Sequence, residues 1–270
     1  MASVGELLAR LTKVASQTPP EGSRTLSVCG LVCGTLVPRS YEVLRSPAFY
    51  DVFEPTSRGL ELSYAGEQGA RDLATLAQML HEGKLITQWR NELLDVVPLD
   101  FSHTVTKAER GIFRFLGLST TCVHALATDD DGRFWIARRS PNKQVDPGLW
   151  DTLSGGLSSA GETLQETLVR ETFEEAGLRS DQYSQIAPPT TFLVTRPVRD
   201  GWMRERTVVF RVKLKSHVVP NNRDGEVAGF EAVKKSELLD RIDQNLFTLD
   251  AALAFLYALQ SETKSETCHV

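Results

Sequence analysis

The chain of 270 residues is 41% hydrophobic, enough for one large core or two small ones. Its net charge of -5 excludes a general nucleic-acid binder, whose affinity rests on neutralising phosphates, and no apolar run reaches the ~20 residues that cross a bilayer. Four cysteines, Cys29, Cys33, Cys122 and Cys268, show neither metal-site spacing nor a dense disulfide framework, which points to a reducing cytoplasm.

From the start, "MASVGELLARLTKVA" predicts an amphipathic helix with Leu7, Leu8, Leu11 and Val14 inward, while Glu6 and Lys13 interrupt any signal-like apolar segment. "LSVCGLVCGTLVP" and "GLELSYA" are strand-like, with Cys29 and Cys33 as small buried strand residues. "GARDLATLAQMLHEGK" places Leu73, Leu76 and Leu80 at helical spacing and stops at Gly83. "WRNELLDVVPL" is extended, and "KAERGIFRFLGL" is a helix with Ile112, Phe113 and Leu116 inward. A seam is expected near Leu116 to Ser119. It divides a small mixed α+β domain, 1–117, from a second domain, 118–260, with a flexible tail at 261–270.

Beyond the seam, "TCVHALATDDDGRFWIARRS" is a hairpin around an Asp-Gly turn, with His124 in the strand interior and one of Phe134 and Trp135 inward. "LWDTLSGG" is extended. "TTFLVTRPVRDGWMRERTVVFRVKLK" predicts another hairpin with a long polar tip that carries Trp202. "VAGFEAVKKSELLDRI" is strand into helix, and "DAALAFLYALQ" is a closing helix. The fold class is α/β or α+β.

"GGLSSAGETLQETLVRETFEEAGL", residues 155–178, holds the chemistry. Thr163 followed by Glu166 forms a capping box, so a helix runs from there to about Ala176 and ends at Gly177. At ~100° per residue Glu171, Glu174 and Glu175 share a face, Val169, Phe173 and Ala176 pack on another, and Arg170 stands where it can pair with Glu174. Three carboxylates on one arc repel one another unless a cation sits among them, and hard oxygen ligands suit Mg²⁺ or Mn²⁺. A solvated acidic helix face is the alternative.

The spacing resolves that choice. Gly156, five residues, Glu162, seven residues, Arg170-Glu171, then Glu174-Glu175, Gly177 and Leu178 resembles the Nudix box over its whole length, with Thr172 the single departure. The resemblance implies an α/β/α sandwich and a divalent-metal-dependent hydrolase of a diphosphate linkage. It implies metal ligands at Glu174, Glu175 and the Gly155 carbonyl, a role for Glu171 as metal ligand or base, a catalytic part for Arg170 in orienting the glutamates, and support from Gly156, Glu162 and Gly177. A further acid often follows the box, and Glu226 in "NNRDGEVAGF" is the candidate for a fourth ligand or base.

A second resemblance covers most of the chain from about Leu26 to Leu259. "ITQWRNELLDVVPL", "ERGIFRFLGLSTTCVHAL" and "WIARRSPNKQVDPGLWD" are similar to Nudix proteins related to thiamine pyrophosphokinase. That implies damaged thiamine diphosphates as substrates, with ADP-ribose or another nucleoside diphosphate derivative as the competing class. Lys143 and Arg139 are candidates to hold phosphate oxygens, and Trp89 or Trp150 to stack on a substrate ring, although Trp150 also suits a core and Trp89 the seam. Two other readings stay open: an isomerase using Cys122, and a non-catalytic ligand sensor. The partner is a small-molecule diphosphate, and the oligomeric state is open, a homodimer included.

Overall fold

The computed structural model describes residues 2–86, 88–143 and 145–267, with 262–267 as backbone alone. In chain order the elements are α1 (Val4–Ala15), β1 (Arg24–Val28), β2 (Leu31–Leu36), α2 (Pro38–Leu44), β3 (Glu54–Pro55), β4 (Gly59–Leu62), α3 (Gly66–Glu82), β5 (Leu93–Val96), β6 (Thr106–Glu109) and α4 (Phe113–Leu116). There follow β7 (Ser119–Thr128), β8 (Phe134–Arg139), β9 (Trp150–Asp151), β10 (Ser154–Leu157), α5 (Leu164–Ala176), β11 (Tyr183–Gln185), β12 (Thr190–Val198), β13 (Gly201–Leu214), β14 (Val227–Val233), α6 (Lys235–Asp243) and α7 (Leu249–Thr267).

The front strands form a sheet in the order β2-β1-β4-β3, on which α3 lays the apolar stripe of Leu73, Leu76, Ala77 and Leu80. Leu26, Leu36, Leu60, Leu94, Phe113 and Leu116 complete that core. The chain leaves it through Gly117, whose φ of 60° and contact with the Thr35 carbonyl leave no room for a Cβ.

Eight strands then build the main sheet along β11-β13-β7-β8-β14, with β12 on β13, β10 on β7 and β9 on β8. β7 and β13 run parallel in register, Ser119 beside Arg204 through Thr128 beside Lys213. Alternation sends Val123, Ala125 and Ala127 with Val208 and Phe210 to the α5 side, and Leu126 with Val209 to the side of α1 and α7. The result is a helix–sheet–helix sandwich, with α5 held against β10 and β7.

Several elements differ from expectation. Val14 is exposed, and Ala15 takes the inward place at the end of α1. Cys29 is also exposed, because it occupies the β1–β2 turn with a φ of 48°; Cys33 is buried as expected. "KAERGIFRFLGL" splits into β6, a 3₁₀ turn and the short α4. The β12–β13 hairpin turns on Arg199 and Asp200 alone, so its tip is tight rather than long, and Trp202 is buried at 2% exposure. Phe134 and Trp135 are both half-buried, one against each side of the sheet. Helix α7 continues through Thr267, past the expected start of the tail; Cys268 and the last two residues lie outside the described residues.

The main correction concerns α5. Its caps are as expected: Thr163 and Glu166 form the capping box, and Gly177 closes the helix at a φ of 67°. The inward stripe, however, is Thr167, Leu168, Glu171, Thr172, Glu175 and Ala176, and Phe173 is exposed beneath the Arg223 guanidinium at 4.5 Å. Two of the three glutamates therefore point toward the sheet. Hydrophobicity alone selects the wrong flank here, because the acids belong to the packed stripe.

Candidate active site

Two consecutive glycines let α5 bring carboxylates against a strand. Gly155 and Gly156 in β10 pair with His124 and Val123 of β7. A Cβ on Gly156 would collide with the Glu171 carboxylate, and one on Gly155 would stand 2.8 Å from Nδ1 of His124. The Gly155 N–H donates to Oε2 of Glu175 at 2.9 Å. His124 itself is buried and meets the Thr152 hydroxyl at 2.9 Å, so it serves the strand interior.

Arg170 organises the helix acids. Its guanidinium donates to Glu162 at 2.7 and 2.9 Å, to Glu171 at 2.6 Å, to Glu174 at 3.2 Å and to the Leu157 carbonyl at 3.0 Å. Five bonds from one rigid fork hold both turns of the acidic stripe to the loop before the helix. Lys143 supplies the second cation. It pairs with Glu226 and, at 3.4 Å, with Glu175, which brings the loop after β8 and the residue before β14 to the end of the glutamate helix.

Burial separates the acids. It pushes Glu175 up to about 8 against the opposing pull of Lys143 and the Gly155 N–H. Burial also raises Glu171, opposed by Arg170. Hydrogen bonds from Arg170 hold Glu162 below the ordinary carboxylate range. For Glu226 burial acts upward, but the hydrogen bond and charge of Lys143 outweigh it and hold the group low. Glu174 is half-exposed and free of the sheet.

Among the described residues no three His, Cys, Asp or Glu side chains converge into a ready-made metal cage. The donor chemistry nevertheless fits a hard divalent cation. Glu171, Glu174, Glu175 and Glu226 offer only oxygens, and the places where they meet are taken by the Lys143 ammonium and the Arg170 guanidinium. Such cations stand in for the charge that a metal would bring.

The remaining expected residues divide. Arg139 donates to Asp151 at 2.9 Å and to the Val145 and Asp146 carbonyls, so it is committed to the 145–151 turn rather than reaching toward phosphate. Trp150 lies under the Arg138 and Arg241 guanidiniums at 5.8 and 5.0 Å. Trp89 is exposed, tilted on His81 and bonded to Asn91. Cys122 is buried beside Leu157, and burial drives its thiol well above the ordinary range, which keeps it protonated and inert.

Sequence reasoning missed Asp95 and Arg110, and read Glu92, with Trp89, Arg90 and Asn91, only as a stretch that fixes the seam. Glu92 accepts from the Ser159 hydroxyl at 3.1 Å and from Arg110 at 2.6 Å, Asp95 accepts from the Gly161 N–H at 3.1 Å, and the Leu93 carbonyl accepts from the Ala160 N–H at 2.7 Å. The front part of the chain thus clamps the loop that leads into α5. No local pattern announces this, because the partners are far apart in sequence.

Comparison with known proteins bears on the same segment. The model of the NUDIX domain matches residues 119–253, half of the chain. An uncharacterized Nudix hydrolase of Streptomyces coelicolor is 31% identical over 166 residues, covering 61% of this chain and 87% of that protein. The chloroplastic Nudix hydrolase 24 of Arabidopsis thaliana is 27% identical over 188 residues, covering 68% of this chain. The chain spans only about half the length of this and another plant relative, 52% and 49%. A crystal structure of a Deinococcus radiodurans protein aligns over 61% of this chain and 97% of that one, with 24% identity and a TM-score of 0.49. Half the chain under one domain model, and a bacterial relative matched along most of its length, agree with the glycine-opened acidic helix: the chain belongs to the Nudix family.

Proposed function

We propose that the protein is a divalent-metal-dependent hydrolase of linked diphosphates. The observation that carries this reading is the placement of Glu171 and Glu175 against the Gly155–Gly156 strand, with Glu174 outward and Arg170 and Lys143 already neutralising the set. Glu171, Glu174, Glu175 and the Gly155 carbonyl are the groups that would hold Mg²⁺ or Mn²⁺. Such an ion, when bound, draws charge from the diphosphate and favours attack by water.

The chain's own residues divide the rest of the work. Arg170 and Glu162 fix the carboxylates, since neither has geometry left for substrate. Lys143, released from Glu175 and Glu226, neutralises a phosphate oxygen. Glu226 is half-exposed, so once Lys143 leaves it, it is the carboxylate that water reaches and the general base. Glu171, buried and bonded to Arg170, is a ligand rather than the base.

Resemblance of the front half to thiamine pyrophosphokinase-related Nudix proteins supports damaged thiamine diphosphates as the narrower substrate class. ADP-ribose and related nucleoside diphosphates compete with it. We also read 1–117 as a separate small domain that braces the second, 118–260, through Glu92 and Asp95. Phosphate and monophosphate release from a panel of both classes, with Mg²⁺ or Mn²⁺, tests this function. Saturable turnover of one class supports it. Tight binding without product from any compound would favour the sensor instead.

A further inference from the structure

Arg204 and Arg206 stand two apart on β13, so strand alternation sends both to the α5 side of the sheet, about 6.6 Å from one another. Neither forms an ion pair among the described residues. Arg204 donates to the Leu99 carbonyl at 2.6 Å and Arg206 to the Thr121 hydroxyl at 3.1 Å, while the Nε of each is buried without an acceptor among those residues. We propose that these two guanidiniums, with the Thr121 hydroxyl, form a site apart from the glutamate helix for a tetrahedral phosphate-type dianion, either free phosphate or the end of a phosphate monoester.

The neighbouring acids are turned elsewhere. Glu205, between the two arginines in sequence, faces the other side of the sheet, where Arg114 and the Thr120 hydroxyl each donate to it at 2.7 Å. Asp100, between Leu99 and Phe101, is exposed and accepts from the Ser102 N–H at 3.0 Å. Burial pushes both guanidiniums below the ordinary arginine value, and among the described residues no carboxylate pulls either one back. Two half-buried like charges side by side oppose one another, and an anion between them removes that opposition.

The surroundings are shaped around the pair. The Phe101 ring covers both guanidiniums, its centroid 5.6 Å from Arg204 and 4.6 Å from Arg206. A ring takes the face of a guanidinium and leaves its edge N–H groups for an oxyanion. Phe101 holds that place at a φ of 58°, a left-handed conformation that a bulky side chain adopts only at a cost. Thr121, opposite Arg206 in the β7–β13 register, accepts from it and keeps its own hydroxyl proton to donate. Donors on three side chains suit a tetrahedral dianion, whereas a single carboxylate would leave one positive charge unbalanced. Leu193, opposite Arg206 on the edge strand β12, is 37% exposed, so this end of the sheet is open to solvent.

The test needs neither metal nor turnover, which separates it from the diphosphatase reading. In EDTA, the whole protein is titrated with inorganic phosphate, with methyl phosphate, and with sodium chloride at equal ionic strength, while its melting temperature is followed. A saturable rise of at least ~4 °C at ~100 times the dissociation constant of the dianion, beyond any effect of chloride, is expected. Arg204→Gln/Arg206→Gln removes the rise. Arg204→Lys/Arg206→Lys, which keeps the charge and stem but not the fork, weakens binding at least ~10-fold and serves if the glutamine pair does not fold. Tighter binding of phosphate than of methyl phosphate assigns the site to the free ion, and equal or tighter binding of methyl phosphate assigns it to a monoester. No rise beyond that of chloride, or wild-type affinity in either double variant, overturns the proposal. So does loss of the rise in Lys143→Ala, which would place the anion at the glutamate helix instead.

Discussion

In the metal-free protein, Glu175→Gln gains stability relative to the wild type as pH rises. Burial lifts Glu175 from 4.5 to about 8, so the folded chain keeps a proton that the unfolded chain has already released. Wild-type stability from this group is greatest below the unfolded value and falls by ~1.36 kcal/mol per pH unit as pH climbs toward the folded one, levelling off above it. From about pH 6 to about pH 9 the loss is roughly 2.7 kcal/mol, two units of that slope. Glutamine keeps the acceptor for the Gly155 N–H and has no proton to lose. Asp250, raised to about 7, is present in both proteins and cancels in the difference, whereas the Glu171 charge itself raises Glu175, so that pair is coupled and is read together. Urea denaturation in EDTA at both pH values measures it. A variant-minus-wild-type difference that grows by less than ~0.5 kcal/mol would show that Glu175 is already ionised at the lower pH, and would refute the reasoning.

Three further outcomes follow from the same geometry. Glu174→Gln, on a half-exposed side chain bonded to Arg170, lowers turnover at saturating Mg²⁺ at least ~100-fold while circular dichroism shows an intact fold. Gly156→Ala drives its methyl into the Glu171 carboxylate and weakens Mn²⁺ binding by about 10–100-fold in a calorimetric titration. Cys122→Ala keeps wild-type turnover, because its thiol is buried and protonated; loss of activity would instead implicate cysteine chemistry.

Much of this was legible in the sequence because its signals are local. The capping box and Gly177 mark both ends of α5, and the Asp-Gly turn marks the β7–β8 hairpin. The spacing from Gly156 to Leu178 carried the family. What the sequence hid is set by packing across distance. Phe173 looks like a core residue, but the strand of glycines under α5 makes room for Glu171 and Glu175 instead. Arg139 looks like a phosphate ligand until Asp151 and two carbonyls occupy it. Asp95 gives no hint of a role, and the stretch with Glu92 suggests only a seam, since the loop they clamp is supplied by a distant part of the chain.

The most direct test is a Mn²⁺ titration of the whole protein, followed by electron paramagnetic resonance in the presence of a methylene-bridged diphosphate. Loss of the free-ion signal at stoichiometric Mn²⁺, restored in a Glu174→Gln/Glu175→Gln double variant, is the predicted result. A free-ion signal that stays at full intensity in the wild type would contradict the metal-holding role of the glutamate helix.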